Sequence, residues 1–413
     1  MAFTLRRNIV WTLFGNGIYA ICQWGTLIVL AQFGGTDIVG RFAVALAITA
    51  PVTIFFRLAL RQVLVTDAKE IHGFNDYLAV RLFAVVFGWL VILSIVMVGD
   101  YTVESVAVIL AVGLYKVFES ISEIFYGLSQ RHERLDLVAR SQMLRGVLGF
   151  AVLALSFYLT GRLLTAVLGV AATWAAVLLF YDLPTSKRWW KKSEIFSFFK
   201  SLQDYGNLKQ LWQLVLLSLP LGLATTLVSL NTNIPRYFIE QFFGEVALGV
   251  FAAMAYLVAA GGMVISAVGQ AASPRLANYF AMGNKRAFWG LLTKTLLIGL
   301  ALGGTGMLMA IYFGREILTL LYGDAFAQNL DTFIWMMMAA TISYLASFLG
   351  YGMTAKRIFK AQVWIFSAVI AVNTLGCFLL VSEYGITGAV WGWSCALFIQ
   401  FSLSLWLNVR GGE

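Results

Sequence analysis

The sequence predicts an all-α polytopic membrane protein, with about twelve transmembrane helices in two six-helix bundles related by a parallel pseudo-repeat. Three observations carry this: an apolar excess, basic residues confined to one side, and a segment that recurs half a chain later. Of 413 residues, 60% are apolar and 12% are charged, and mean hydropathy is +0.83. A soluble globular chain carries about 25% charged residues. So much apolar side chain is accommodated by a bilayer, whose core is itself the apolar solvent.

Segments of about 20 apolar residues fall at 9–33, 38–58, 78–98, 105–127, 143–160 and 163–181 in the first half. In the second they fall at 211–233, 246–268, 288–312, 330–351, 361–381 and 386–408. The first follows Arg6-Arg7. It is longer than the core of a signal peptide and reads as an uncleaved first helix.

Lys and Arg in the loops orient the helices. With these spans, 23 of the 29 basic residues fall on one side, Arg81 and Arg145 among them. Four, Arg41, Arg162, Arg236 and Arg315, fall on the other, and Lys116 and Lys294 lie within spans. Adding or dropping one helix scrambles this split, so both termini are expected in the cytoplasm. The net charge of +9 sets topology and implies no nucleic-acid partner. The longest loop, 182–210, is expected on the cytoplasmic side. There Ile195, Phe196, Phe199 and Leu202 are spaced as a short interfacial helix beside Trp189 and Trp190.

Residues 32–43, QFGGTDIVGRFA, align with 241–252, QFFGEVALGVFA, at six of twelve positions and a constant offset of 209. Each segment joins the first two spans of its half. Two six-span halves follow, predicted as 1–181 and 211–413 with 182–210 as a linker. An even span count gives both halves the same orientation, as in parallel-repeat transporters, with a path expected between them.

An ionisable side chain at the bilayer centre costs about 2.5–3.5 kcal/mol on insertion scales. The fourth span carries Lys116, Glu119 and Glu123, a cost of about 8–10 kcal/mol if they faced lipid. Spacings of three and four place them on one helical face, where Lys116 can pair with Glu119. That face is expected to line a cavity or a helix interface. Arg57, Arg61, Arg41 and Lys294 lie nearer span ends, where the alternative is snorkelling to headgroups; the same alternative is stronger for Arg236. Asn16 and Gln23 share a face of the first span, either along the path or in an interhelical hydrogen bond.

The chain has no GxxxxGK[ST] phosphate loop and no long extramembrane segment to house a catalytic domain. No nucleophile–base arrangement is evident, so a transporter is expected rather than an enzyme. His72 and His132 read as solvated loop residues without metal-ligand spacing. Cys22, Cys377 and Cys395 read as small buried hydrophobes. No cofactor or metal is implied.

The run from Gly40 to Pro51, GRFAVALAITAP, followed by Leu58-Ala-Leu-Arg61, resembles the second span of bacterial polysaccharide flippases of the Wzx type. Ala272-Ser-Pro-Arg-Leu-Ala277, Gly283-Asn-Lys-Arg-Ala-Phe288 and Leu321-Tyr-Gly-Asp-Ala-Phe326 carry the same resemblance. That family belongs to the multidrug/oligosaccharidyl-lipid/polysaccharide superfamily. The resemblance implies a flippase in the bacterial cytoplasmic membrane. It would move an undecaprenyl-pyrophosphate-linked oligosaccharide repeat unit from the inner to the outer leaflet by alternating access. It also implies membrane lipids, a polysaccharide polymerase and chain-length proteins as partners. A diphosphate in a low-dielectric path needs cations; Arg41, Arg57, Arg61, Lys116 and Lys294 are the substrate-binding candidates. Glu119 and Glu123 are the candidates for coupling, since desolvation favours a protonated carboxyl. Two alternatives are a cation-coupled multidrug exporter of the same superfamily and a membrane-bound assembly or polymerase subunit.

Overall fold

The computed structural model describes residues 5–67, 72–190, 205–356 and 358–410. The helix expected around Ile195, Phe196, Phe199 and Leu202 lies outside them. All regular structure among the described residues is helical, as the bilayer demands, because a helix satisfies its own backbone donors and acceptors.

The elements run α1 (Leu5–Arg57), α2 (Leu60–Thr66), α3 (Phe74–Val98), α4 (Val103–Arg131), α5 (Leu135–Thr160) and α6 (Leu163–Ser186) in the first half. In the second run α7 (Tyr205–Ala281), α8 (Lys285–Tyr322), α9 (Asp324–Ala327), α10 (Leu330–Ala355) and α11 (Phe359–Arg410). Nine of the described helices are long and apolar enough to cross a membrane. Three of these, α1, α7 and α11, have 53, 77 and 52 residues. Straight, α1 and α11 would each be about 80 Å long, far more than the ~30 Å hydrocarbon core. Each breaks at one glycine with positive φ: Gly35 (φ 73°), Gly244 (φ 75°) and Gly385 (φ 59°). Only glycine enters that region without steric penalty. Each break turns one helix into two spans, and nine helices hold twelve.

Helix ends follow from local chemistry. Asp76 accepts from the Gly73 backbone N–H at 2.9 Å to start α3. Thr102 Oγ1 accepts from Ser105 N–H at 3.2 Å to start α4, and Asn284 Oδ1 accepts from Ala287 N–H at 3.0 Å to start α8. Gly161 and Gly323 end α5 and α8 at positive φ. Several helices outrun their apolar cores: α3 starts at Phe74, α5 at Leu135, and α8 continues to Tyr322.

By packing, the chain divides into two units. Unit 1 is Met1–Phe33 with Val44–Ser229; unit 2 is Gly34–Ala43 with Leu230–Glu413. The first part of α7 packs with unit 1, where Leu211 and Leu214 join a core with Leu60, Leu64, Tyr77, Ile124 and Phe125. Trp190 is buried in that core, and its indole N–H donates to Asn75 Oδ1 at 2.8 Å. It is therefore a packing residue of this core. His72 also departs from expectation: it is buried, edge-on to the Tyr77 ring at 6.2 Å. Cys377 is buried as expected, whereas Cys395 is exposed.

In unit 2, the two repeated segments pack on one another. A Cβ on Gly40 would strike the Glu245 carbonyl, and a Cβ on Gly249 would strike the Thr36 carbonyl. Gly40 and Gly249 are 209 residues apart, as are Thr36 and Glu245, and as are the two breaks at Gly35 and Gly244. The contact is therefore reciprocal. This packing explains why 34–43 falls in unit 2.

Candidate functional site

The polar interior of unit 1 is built on α4. Lys116, Glu119, Ser120, Glu123, Tyr126 and Gln130 recur at three- and four-residue steps along it, so one face of a single helix presents them all. Opposite, α1 ends at Arg57. Leu58 and Ala59 then take left-handed backbone (φ 51° and 48°), and α2 begins with Leu60 and Arg61. Gly222 of α7 lies against this turn, with room for no larger side chain without a shift.

Arg57 is the hub. Its Nη2 is 2.8 Å from Glu119 Oε2 and its Nε 3.5 Å from Glu123 Oε2, and Nε donates to Ser120 Oγ at 3.2 Å. Lys116 Nζ donates to Glu119 Oε2 at 2.7 Å, the pair expected from their spacing. Arg61 donates to Gln130 Oε1 at 3.0 Å and lies 5.8 Å from the Tyr126 ring. The structure thus gathers five of the seven predicted residues, Arg57, Arg61, Lys116, Glu119 and Glu123, in unit 1.

The other two lie in unit 2. Arg41 is clasped by Asp37 at 2.9 Å and Glu245 at 3.0 Å, in the corner where the repeats meet. Lys294 is exposed on α8. Arg236 is partly buried and donates to Asn233 Oδ1 at 3.2 Å.

Three charged residues join the cluster that were read as loop or linker residues: Arg81, Arg145 and Asp182. Arg145 Nη2 is 2.7 Å from Asp182 Oδ2 and also contacts Ser122 Oγ. Its guanidinium lies 5.6 Å from the Tyr126 ring and 5.3 Å from that of Trp174. Asp182 ends a π-helical turn, Leu178–Asp182, inside α6. An inserted residue of this kind re-aims the side chains of a helix, and such turns concentrate at functional sites. Arg81 Nη2 approaches Glu123 Oε2 at 3.8 Å, and none of its three nitrogens has a hydrogen-bond partner. Hydropathy hid these residues because each lies near the end of an apolar run, while the helices continue past it.

The cluster has two tiers. Arg57, Lys116, Glu119 and Glu123 keep 18–25% of their side-chain surface, whereas Arg81, Arg145 and Asp182 keep 1–3%. The first tier keeps some side-chain surface, and the second is closed off. With Arg61, these eight residues carry five positive and three negative charges. Each carboxylate has a cation within 4 Å, and two positive charges are left over. Such a site is suited to a polyanion, since guanidinium groups bind phosphate oxygens bidentately. Among the described residues, no group of three or more His, Cys, Asp or Glu side chains is placed to hold a metal ion.

A family model described as polysaccharide biosynthesis protein matches residues 5–280. The capsular polysaccharide biosynthesis protein CapF of Staphylococcus aureus is 27% identical over 386 residues, covering 93% of this chain and 94% of that protein. Among solved structures, the lipid II flippase MurJ in an inward closed conformation aligns with a TM-score of 0.70 at 12% identity. It covers 97% of this chain and 87% of its own. The MATE multidrug transporter DinF-BH in complex with R6G aligns at 0.68 and 14% identity, over 98% and 95%. The two structural likenesses establish the fold: this chain has the multi-helix membrane fold of those two proteins.

Proposed function

The chain belongs to the polysaccharide biosynthesis protein family, and on that premise we propose that it is a flippase for a lipid-linked oligosaccharide. The cargo is an undecaprenyl-pyrophosphate-linked repeat unit, carried by alternating access from the inner to the outer leaflet of the bacterial cytoplasmic membrane. Both chain termini lie in the cytoplasm, and the polysaccharide polymerase and chain-length proteins receive the product.

One observation carries this reading: the buried cluster of unit 1 has two positive charges more than its own carboxylates neutralise. A diphosphate diester brings two negative charges. Arg57 and Lys116, in the tier that keeps some surface, receive its oxygens, and charge-assisted hydrogen bonds of this kind contribute about 1.5–3 kcal/mol each. Arg61, on the next turn beside Tyr126, extends the cationic track. Glu119 and Glu123 hold the cations in register when the cargo is absent. They release them as phosphate oxygens arrive, and a proton taken up at that moment would couple transport to a gradient. A cation-coupled drug exporter instead needs a carboxylate left open to the drug or ion, and here arginine and lysine hold all three.

The test is a clean deletion complemented by variants. The deletion leaves lipid-linked repeat units in the inner leaflet and abolishes surface polymer, and the wild-type chain restores both. Arg57→Ala and Lys116→Ala, expressed at the normal level, restore polymer at least about tenfold less well, the equivalent of one charged hydrogen bond. Normal polymer in the deletion refutes the function. Normal polymer from both variants refutes the site.

A further inference from the structure

Unit 2 holds a cationic cavity of its own. It has a volume of about 180 Å³ and is lined by Phe280, Lys285, Phe288, Trp289, Lys356 and Val409 among others. Its walls come from the end of α7, the start of α8, the residue after α10 and the end of α11. It therefore lies where helices leave the apolar layer. Gly283-Asn-Lys-Arg-Ala-Phe288, noted in the sequence, forms one wall.

Lys356 is the anchor. It is 8% exposed, and its ammonium lies 4.9 Å from the Phe288 ring and 5.6 Å from those of Phe280 and Trp289. One N–H donates to the Asn408 carbonyl. These contacts hold the ammonium in place without neutralising it, since rings and a carbonyl carry no net charge. The lining contains a second cation, Lys285, and no carboxylate. Burial and the Lys285 charge push the Lys356 ammonium below the usual lysine range. The positive end of the 38-residue α8 dipole adds to the same field. A buried lysine beside a like charge calls for an anion.

We propose that this cavity binds the phosphate ester headgroup of an anionic phospholipid from the surrounding membrane. Phosphate oxygens contact Lys356 and Lys285, and the glycerol and first acyl carbons lie against Phe288, Trp289 and Val409. Three features favour a lipid over free phosphate: the aromatic and aliphatic lining, the position at helix ends, and the interfacial aromatics. Trp289 lines the cavity, and Trp406, one turn before Val409, stacks 4.6 Å under Arg410, the pattern of a headgroup-level belt. Basic pockets between helix ends are known lipid headgroup sites in general. The proposal does not depend on the cargo.

Native mass spectrometry of the full-length chain, titrated with phosphatidylglycerol or phosphatidylcholine, tests it. Phosphatidylglycerol is retained at low stoichiometry, and phosphatidylcholine at least tenfold more weakly. Lys356→Met lowers phosphatidylglycerol retention at least tenfold, and Lys285→Gln several-fold. Lys285 is exposed at the rim, so its variant folds and keeps the test decisive even if Lys356→Met does not. Equal retention of the two lipids overturns the proposal, as does wild-type retention by Lys285→Gln or by a folded Lys356→Met. Displacement of the lipid by an equal concentration of inorganic phosphate overturns the lipid assignment and gives the site to a soluble anion.

Discussion

The fourth span of each half is a membrane helix of the same length class, yet the two have opposite interiors. Between its first and last turns α4 carries Lys116, Glu119 and Glu123, all partly buried. After Asp331 in its first turn, α10 carries no charge until Lys356 beyond its end. Its buried side is Met336, Met337, Ala339, Ala340 and Tyr344, with Tyr344 donating to the Val258 carbonyl at 2.7 Å. The breaks at Gly35 and Gly244 have nearly the same φ and ψ. The repeat therefore preserves backbone geometry while the fourth span carries mid-helix charges in one copy and none in the other. Duplicated architecture tolerates this because the bilayer constrains where helices bend and how long they are, and leaves the interior chemistry of each span free to differ.

The largest effect should come from the buried pair beneath the cluster. Arg145→Ala leaves Asp182 buried and unpaired, at a cost of about 3–5 kcal/mol. It should lower the thermal midpoint of the detergent-solubilised protein well below wild type. The double variant Arg145→Met/Asp182→Leu, which removes both charges, should recover most of that loss. If the single variant is as stable as wild type, unit 1 has no stabilising ionic core. Next in size, Ala340→Lys brings into α10 the charge type that α4 accommodates. With no carboxylate on its buried face, the new ammonium should cost about 2.5–3.5 kcal/mol and reduce membrane yield. Normal yield would show that the middle of α10 can house a charge as α4 does.

Smaller and equal effects are expected at the shared corner. Gly40→Ala and Gly249→Ala each press a methyl group against a backbone carbonyl, an overpacking of about 1–3 kcal/mol. Unequal losses in thermal midpoint would break the equivalence of the copies. The smallest effect is a pH dependence. Lys356 holds its proton less tightly folded than unfolded. Between its lowered value and the usual lysine value the unfolded chain binds more protons, so stability contributed by this group rises with pH. Delipidated wild type should gain on Lys356→Met as pH increases through the alkaline range, and parallel curves would show that Lys356 titrates normally.

Much of the fold was legible. Twelve apolar runs, the one-sided basic residues and the offset of 209 are properties of the chain in order, and the helices follow them. What hydropathy alone missed was continuity: it placed short outer loops where Gly35, Gly244 and Gly385 instead bend single helices. Within the site, Lys116 and Glu119 were legible because both lie on one helix, three residues apart. Arg57 was legible as a candidate, but its role as hub was not, because Glu119 lies 62 positions away on another helix. Arg145 was counted with the charges of one membrane side and Asp182 fell at the start of the linker, since a side chain there has the same hydropathy whether it faces water or a buried partner 37 residues away.

The reciprocal corner has a further consequence. A contact in which position i of one copy meets position j of the other, and j meets i, obeys the rule of an isologous interface between identical subunits. Here Gly40 meets Glu245 while Gly249 meets Thr36, so a homodimer's self-complementary patch is written twice into one polypeptide. A homodimer receives every interface mutation in both subunits at once; this chain receives it in one. The two sides of its corner need not match, and they do not: the salt bridge of Arg41 and Glu245 is answered in the other copy by Val250 and Thr36, whereas a symmetric dimer of this patch would make it twice.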